Sequence, residues 1–444
     1  MSKNDFVWGV ATAATQIEGG AKQDGKSPTI WDVMSEDETF IAHGHKAENA
    51  DDSYNRFDED LKLLKKIGVN AYRFSLSWAR IIKDGDGEIN EKGWAHYSEM
   101  IDKLLEANIE PFITLFHWDL PHALFLKGGW LNRDITKAFK KYVEAVAEAF
   151  GDKVNHFITF NEPQCVLGAR LGGTLPDAKY TAKDRNIMVH NLLLCHGEAV
   201  KVLRKYKNIK IGYAPCNDAR IPLTNSKEDI EAARQSYFDI DRGDMWGVSV
   251  FTDPIVLGDY PKKYYEINRK EDLPDIQEGD LELISQPIDF YCQNIYQGQY
   301  VKSNGNGGYE IVKPKQNAVF TCMNWVVSPE ALYWGPKFLY ERYKLPFYIT
   351  ENGCAVTDII TEDKQIHDSP RCEFLKQYLA QYKKAKDEGV DIRGYFVWSL
   401  LDNLEWYEGY RKRFGLVYVD YETYERYPKD SFYFYQEYIK NNNF

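Results

Sequence analysis

Two glutamates carry the chemistry this sequence points to: Glu162 in the stretch ITFNEP and Glu351 in YITENG, each directly after a run of strand-forming residues. Cleavage of a glycosidic bond needs such a pair, one carboxyl protonating the leaving oxygen and the other attacking the sugar carbon or activating water. Taken singly, either glutamate reads equally well as a helix cap or a solvated ion-pair partner. Their company separates the two readings. The ends of other strand-like runs supply Gln16 and Glu18, then Arg73, then His117 with Trp118 and Asp119, and Asn161. Further on they supply Asn294 and Tyr296, Asn352, and Trp398 followed by Asn403, Glu405 and Trp406.

These residues need a frame that brings distant strand ends together. DFVWGVATAA near the N-terminus, NAYRFSLSW at 70–78, EPFITLFHW at 110–118 and HFITF at 156–160 read as strands. So do IKIGYAP at 209–215, DFYCQNI at 289–295, PFYIT at 346–350 and RGYFVWSL at 393–400. Between them lie amphipathic stretches. In DEDLKLLKKIG at 58–68, Leu61, Leu63, Leu64 and Ile67 share one helical face, with Gly68 placed to cap it. The stretches 94–109 and 135–150 repeat the pattern, each leading into the next strand. Eight strands alternating with helices predict an α/β chain folded as one (β/α)8 TIM barrel over residues 1–444. Its active site belongs at the C-terminal strand ends, where the polar residues collect.

Composition agrees with a globular enzyme and excludes other classes. The net charge of -12 disfavours nucleic acid and anionic lipid as partners. No apolar run reaches the length of a membrane span and no secretory signal pattern opens the chain, so a cytoplasmic location is expected. The seven cysteines are scattered with no CxxC or Cys/His ligand spacing, so free buried thiols and no metal or other cofactor are expected. His117 beside Asp119 does not change this, because no third ligand stands at zinc spacing. Eleven Trp and 31 Tyr make rings available for packing and for stacking on sugars. The basic run Arg411, Lys412 and Arg413 reads as a solvated loop face. Oligomeric state is not legible.

The motifs FVWGVATAATQIEG at 6–19, NAYRFSLSWARI at 70–81, FHWDLP at 116–121, TFNEP at 159–163, ITENG at 349–353 and SLLDNLEWYEGYRKRFGLVYVD at 399–420 together resemble family 1 of the glycoside hydrolases, the β-glucosidase family. The resemblance spans essentially the whole chain, with the motifs in order and correctly spaced. It implies a retaining β-glycosidase acting on a small β-glycoside or oligosaccharide, with Glu162 as acid/base and Glu351 as nucleophile. It implies that Tyr296 hydrogen-bonds the nucleophile, that Arg73 lies beneath it, and that Asn161 binds the sugar 2-hydroxyl; Asn294 joins this catalytic group. Gln16, His117, Trp118, Glu405 and Trp406 fall on the glycone side, with Trp398 beneath the sugar and Trp325 on the leaving-group side. Glu405 stands where the branch acting on phosphorylated sugars has Ser, so an unphosphorylated sugar is expected.

Gln164 departs from the family pattern, which has an aromatic there, and LGGTLPDAK at 171–179 matches its usual turn imperfectly. The leading expectation is hydrolysis of terminal non-reducing β-D-glucosyl residues, as in cellobiose degradation. A galactosidase or fucosidase of the same family is the near alternative, and a catalytically silent sugar-binding barrel the distant one. Loss of either carboxylate would favour the silent barrel, and replacement of Glu162 by Gln would favour an S-glycosidase; neither has occurred.

Overall fold

All eight strand-like runs form strands, and the strands close into a ring. In the computed structural model, which describes residues 6–167, 180–240, 246–441 and 444, they are β1 (Val7–Ala11), β2 (Ala71–Ser75), β3 (Glu110–Phe116) and β4 (His156–Asn161), followed by β5 (Lys210–Ala214), β6 (Phe290–Asn294), β7 (Phe347–Asn352) and β8 (Ile392–Trp398). The order round the ring is β1-β8-β7-β6-β5-β4-β3-β2, and each pairing is parallel. A parallel strand covered on both faces has no polar side to show, which is why β2 is buried at every residue.

The ring is filled by side chains. Phe112 on β3 packs against Phe290 on β6, Tyr348 on β7 and Phe396 on β8, with centroids 6.4, 6.0 and 5.0 Å away. None of these strands neighbours β3, so the rings meet across the interior and floor the site above them. Outside the ring, helices bury their apolar stripes against the strands. The helix Ser53–Ile67 buries Leu61, Leu64 and Ile67, and Gly68 ends it in the left-handed conformation at φ 81°. It starts five residues ahead of the stretch read from the sequence. Glu91–Glu106 and Ile135–Phe150 likewise occupy the expected places.

Two features were not anticipated. Ala219–Pro222, Gly298–Ser303 and Tyr309–Val312 form a three-stranded sheet, and Val417–Val419 pairs with Arg426–Pro428. The basic run also needs correcting at two positions. The Lys412 side chain is only 19% exposed and donates to the Cys322 carbonyl. Arg413 is not solvated: it donates to Asp402 at 2.6 Å and lies 3.8 Å over the Tyr418 ring. Lys429 at 2.6 Å and the Gly415 N–H at 2.9 Å complete the Asp402 carboxylate. This buried knot anchors the loop carrying Asn403, Glu405 and Trp406. No helix among the described residues is long and apolar enough to cross a membrane.

Candidate active site

Both glutamates stand at strand ends with irregular backbone, Glu162 just past β4 and Glu351 next to last in β7. The β4–β5 register slips between Ile158 and Asn161, and the β7–β6 register slips between Ile349 and Glu351. Such bulges re-aim the side chains that follow them. Glu162 itself is left-handed at φ 43°, a conformation that costs a residue with a Cβ roughly 1–2 kcal/mol. Its N–H is held by the Ala214 carbonyl at 2.7 Å, and Pro163 opens a short helix immediately after it. At the other site, a Cβ on Gly353 would lie 1.9 Å from the Trp398 carbonyl oxygen, so only glycine lets the end of β7 pass β8.

The two carboxyls face a cavity of about 740 Å³, a volume suited to a small ligand. Glu162, Glu351, Asn294 and Tyr296 line it together with His117, Trp118, Trp325, Trp398, Glu405 and Trp406. Arg73, Asn161 and Gln16 lie directly behind that wall, each almost wholly buried.

A continuous set of hydrogen bonds joins the two glutamates. Arg73 donates to Glu351 Oε1 at 2.6 Å, to Asn161 Oδ1 at 2.6 Å and to Thr114 Oγ1 at 3.1 Å. Asn294 Nδ2 is shared between Asn161 Oδ1 at 2.9 Å and Glu162 Oε1 at 2.8 Å, while Thr350 donates to Asn294 Oδ1 at 2.7 Å. The Tyr296 hydroxyl reaches Glu351 Oε2 at 2.6 Å. Glu351 therefore receives a charge-assisted donor on one oxygen and a phenol on the other, whereas Glu162 receives, among the described residues, only a neutral amide and a thiol.

That asymmetry sets the protonation order. Burial and then the charge of Glu351 push the Glu162 carboxyl up to about 7. Burial raises Glu351 as well, but Arg73 and Tyr296 pull it back towards the ionised form. A protonated acid beside an ionised carboxylate is the arrangement expected of a retaining pair at neutral pH.

Of the remaining polar groups, His117 and Glu405 line the same space and Gln16 lies behind its wall. Asn161 Oδ1 is committed to two donors, so its amide nitrogen must donate to His117 Nε2, 2.9 Å away. This leaves the proton of neutral His117 on Nδ1, which is buried and has no partner among the described residues. Burial first, and then Arg73, hold the imidazole well below its ordinary value and so uncharged. Gln16 spends its amide protons on Asn403 Oδ1 and the Leu404 carbonyl at 3.0 Å each, leaving Oε1 as a buried acceptor without a partner among the described residues. Glu405 has the Trp398 indole N–H at 3.5 Å, and burial pushes its carboxyl up to about 8. One stranded donor and two under-satisfied acceptors are what a polyhydroxylated ligand would complete. The rings around them form a wall: Trp406 lies 4.7 Å from Trp118, and Trp325 lies 5.1 Å from Tyr296.

Some strand-end residues do not join the site. Glu18 pairs with Arg80 at 3.1 Å and accepts from Tyr97 at 2.5 Å, and buried Asp119 lies off the cavity wall. Residues 171–179 fall outside the described residues. Other participants were missed. Thr114 and Thr350 support the network, and Arg220 and Gln299 on the small sheet line the cavity, as do Cys165 and Cys216. The stretch GQYVKS at 298–303 has no clean apolar–polar alternation to mark that sheet, and nothing in linear spacing joins the two cysteines.

Comparison with known proteins agrees with this geometry. Residues 2–444 match the profile described as Glycosyl hydrolase family 1. A 1,4-beta-D-glucan glucohydrolase of Thermotoga neapolitana is 45% identical over 443 residues, covering 98% of each chain. Beta-glucosidase A of Thermotoga maritima is 44% identical, covering 98% of this chain and 97% of its own. The solved structure of the family 1 β-glucosidase from Thermotoga maritima in complex with isofagomine lactam superposes with a TM-score of 0.89 at 43% identity, covering 99% of this chain and 98% of that one.

Proposed function

Because the chain belongs to glycosyl hydrolase family 1, we propose that it is a retaining β-glucosidase whose catalytic pair is Glu162 and Glu351. The observation that carries this reading is the unequal solvation of the two carboxyls: Arg73 and Tyr296 serve Glu351, while Glu162 is left with neutral partners and is pushed up to about 7. Ionised Glu351 attacks the anomeric carbon as Glu162 gives its proton to the leaving oxygen, forming a covalent glycosyl-enzyme. The negative charge on Glu351 is then gone, the Glu162 carboxyl drops, and it takes a proton from the water that releases the sugar.

Gln16, His117 and Glu405 hold the glycone hydroxyls, Trp398 carries the ring, and Trp325 meets the leaving group. Residues 1–444 act as one catalytic domain, in keeping with a family match over residues 2–444. The names of the relatives favour glucose as the glycone and short β-1,4-glucans such as cellobiose as substrates. Seven unpaired cysteines suit a reducing compartment, and we place the enzyme in the cytoplasm.

A panel of nitrophenyl β-glycosides tests the reading. The gluco member should give the highest kcat/KM; a protein silent towards the gluco, galacto, fuco and manno members alike would contradict it.

A further inference from the structure

Two cysteines far apart in sequence meet at the Glu162 carboxyl. Cys165 lies in the short helix Pro163–Val166, its Sγ 3.2 Å from Glu162 Oε2. Cys216 follows β5, its Sγ 3.9 Å from that of Cys165. Gln164 clamps the arrangement: its amide donates to the Cys216 carbonyl at 2.9 Å and accepts from the Cys216 N–H at 3.4 Å. One ligand atom from each of Glu162, Cys165 and Cys216 lies within 4.8 Å of the other two. All three residues are buried yet form part of the cavity wall, so the cluster is dry but open to the cavity.

The spacing of its two sulfurs fits a cation. A zinc-like ion holds thiolate sulfur at about 2.3 Å and carboxylate oxygen at about 2.0–2.2 Å, and tetrahedral angles then set two sulfurs about 3.8 Å apart. The sulfurs stand 3.9 Å apart with no rearrangement. Two sulfurs and one oxygen leave a fourth position for water from the cavity. Thiolates select soft ions of the zinc group over magnesium or calcium.

We propose that Glu162, Cys165 and Cys216 form a binding site for one soft divalent cation, and that its occupancy stops hydrolysis by tying up the acid/base. The two thiols release their protons to solvent on coordination. Glu162 Oε2 becomes the third ligand, while Oε1 keeps its hydrogen bond from Asn294. Linear spacing had given no reason to expect a metal, because the ligands come from two different strand exits. Binding stands on geometry alone; inhibition also rests on the reading of Glu162 as acid/base.

Cadmium is the probe, since its thiolate complexes absorb in the ultraviolet. Titrated into the full chain, it should raise a thiolate charge-transfer band and abolish hydrolysis of nitrophenyl β-glucoside over the same concentration range. Cys216→Ser and, separately, Cys165→Ser should each move both midpoints upward by at least ~10-fold, activity being read against that variant's own metal-free rate. No band in the wild-type chain overturns the site, and midpoints unchanged in both variants overturn it too, assigning the band to other thiols such as exposed Cys322. A band that needs both cysteines while hydrolysis continues shows the ion on the two thiols without Glu162, and overturns both the third ligand and the inhibition.

Discussion

Arg73 Nη1 and Glu351 Oε1 stand 2.6 Å apart, the guanidinium side chain 1% and the carboxylate side chain 4% exposed. A buried pair of this kind is costly to break, because the survivor is left charged and unsolvated. Arg73→Met should therefore lower kcat/KM by ~100-fold or more, the equivalent of about 3 kcal/mol. It should also move the acid limb of the pH–rate profile upward, since Glu351 then protonates more easily. A loss of rate with an unmoved acid limb would mean that Arg73 only supports the fold.

The wild-type profile of kcat/KM should fall on its alkaline side around pH 7, where Glu162 gives up the proton it must donate. With a dinitrophenyl β-glucoside, whose leaving group needs no acid, Glu162→Gln should lose that alkaline limb. An alkaline limb that survives in this variant belongs to another group.

The same carboxyl burdens stability. Its folded value of about 7 lies above the ordinary 4.5, so the folded state binds more protons across that interval. Stability is therefore lost as pH rises through the window. Glu162→Gln removes this dependence, and its change in Tm relative to wild type should be more favourable near pH 8 than near pH 5. Equal changes at both values would contradict the raised carboxyl.

Glu405 faces the cavity with, among the described residues, only the Trp398 indole as a donor. A phosphate on the sugar would meet a buried carboxyl instead of a cation, so nitrophenyl β-glucoside should be preferred over its 6-phosphate by ~100-fold or more in kcat/KM. Comparable rates for the two would remove Glu405 from the role of excluding phosphate.

The barrel was legible because strands buried on both faces are continuous apolar runs, and Glu162 and Glu351 were legible because they end two of them. The small sheet was not: Gly298–Ser303 and Tyr309–Val312 are short and half exposed, with little apolar signal. Arg413 was misread because three consecutive basic residues imply solvent, whereas Asp402 and Tyr418 pull this one inward. Glu18 sits at a strand exit like the others, but its partner Arg80 lies 62 positions away and leaves no local mark. Cys165 and Cys216 are 51 positions apart, and only the closure of the ring brings β4 and β5 exits together.

The most direct measurement is the product formed by Glu351→Ala from dinitrophenyl β-glucoside in azide. With the nucleophile removed and Glu162 intact, azide enters the vacated face and the product is the α-glucosyl azide. A β-glucosyl azide would show that a covalent intermediate still forms without Glu351, reversing the two roles.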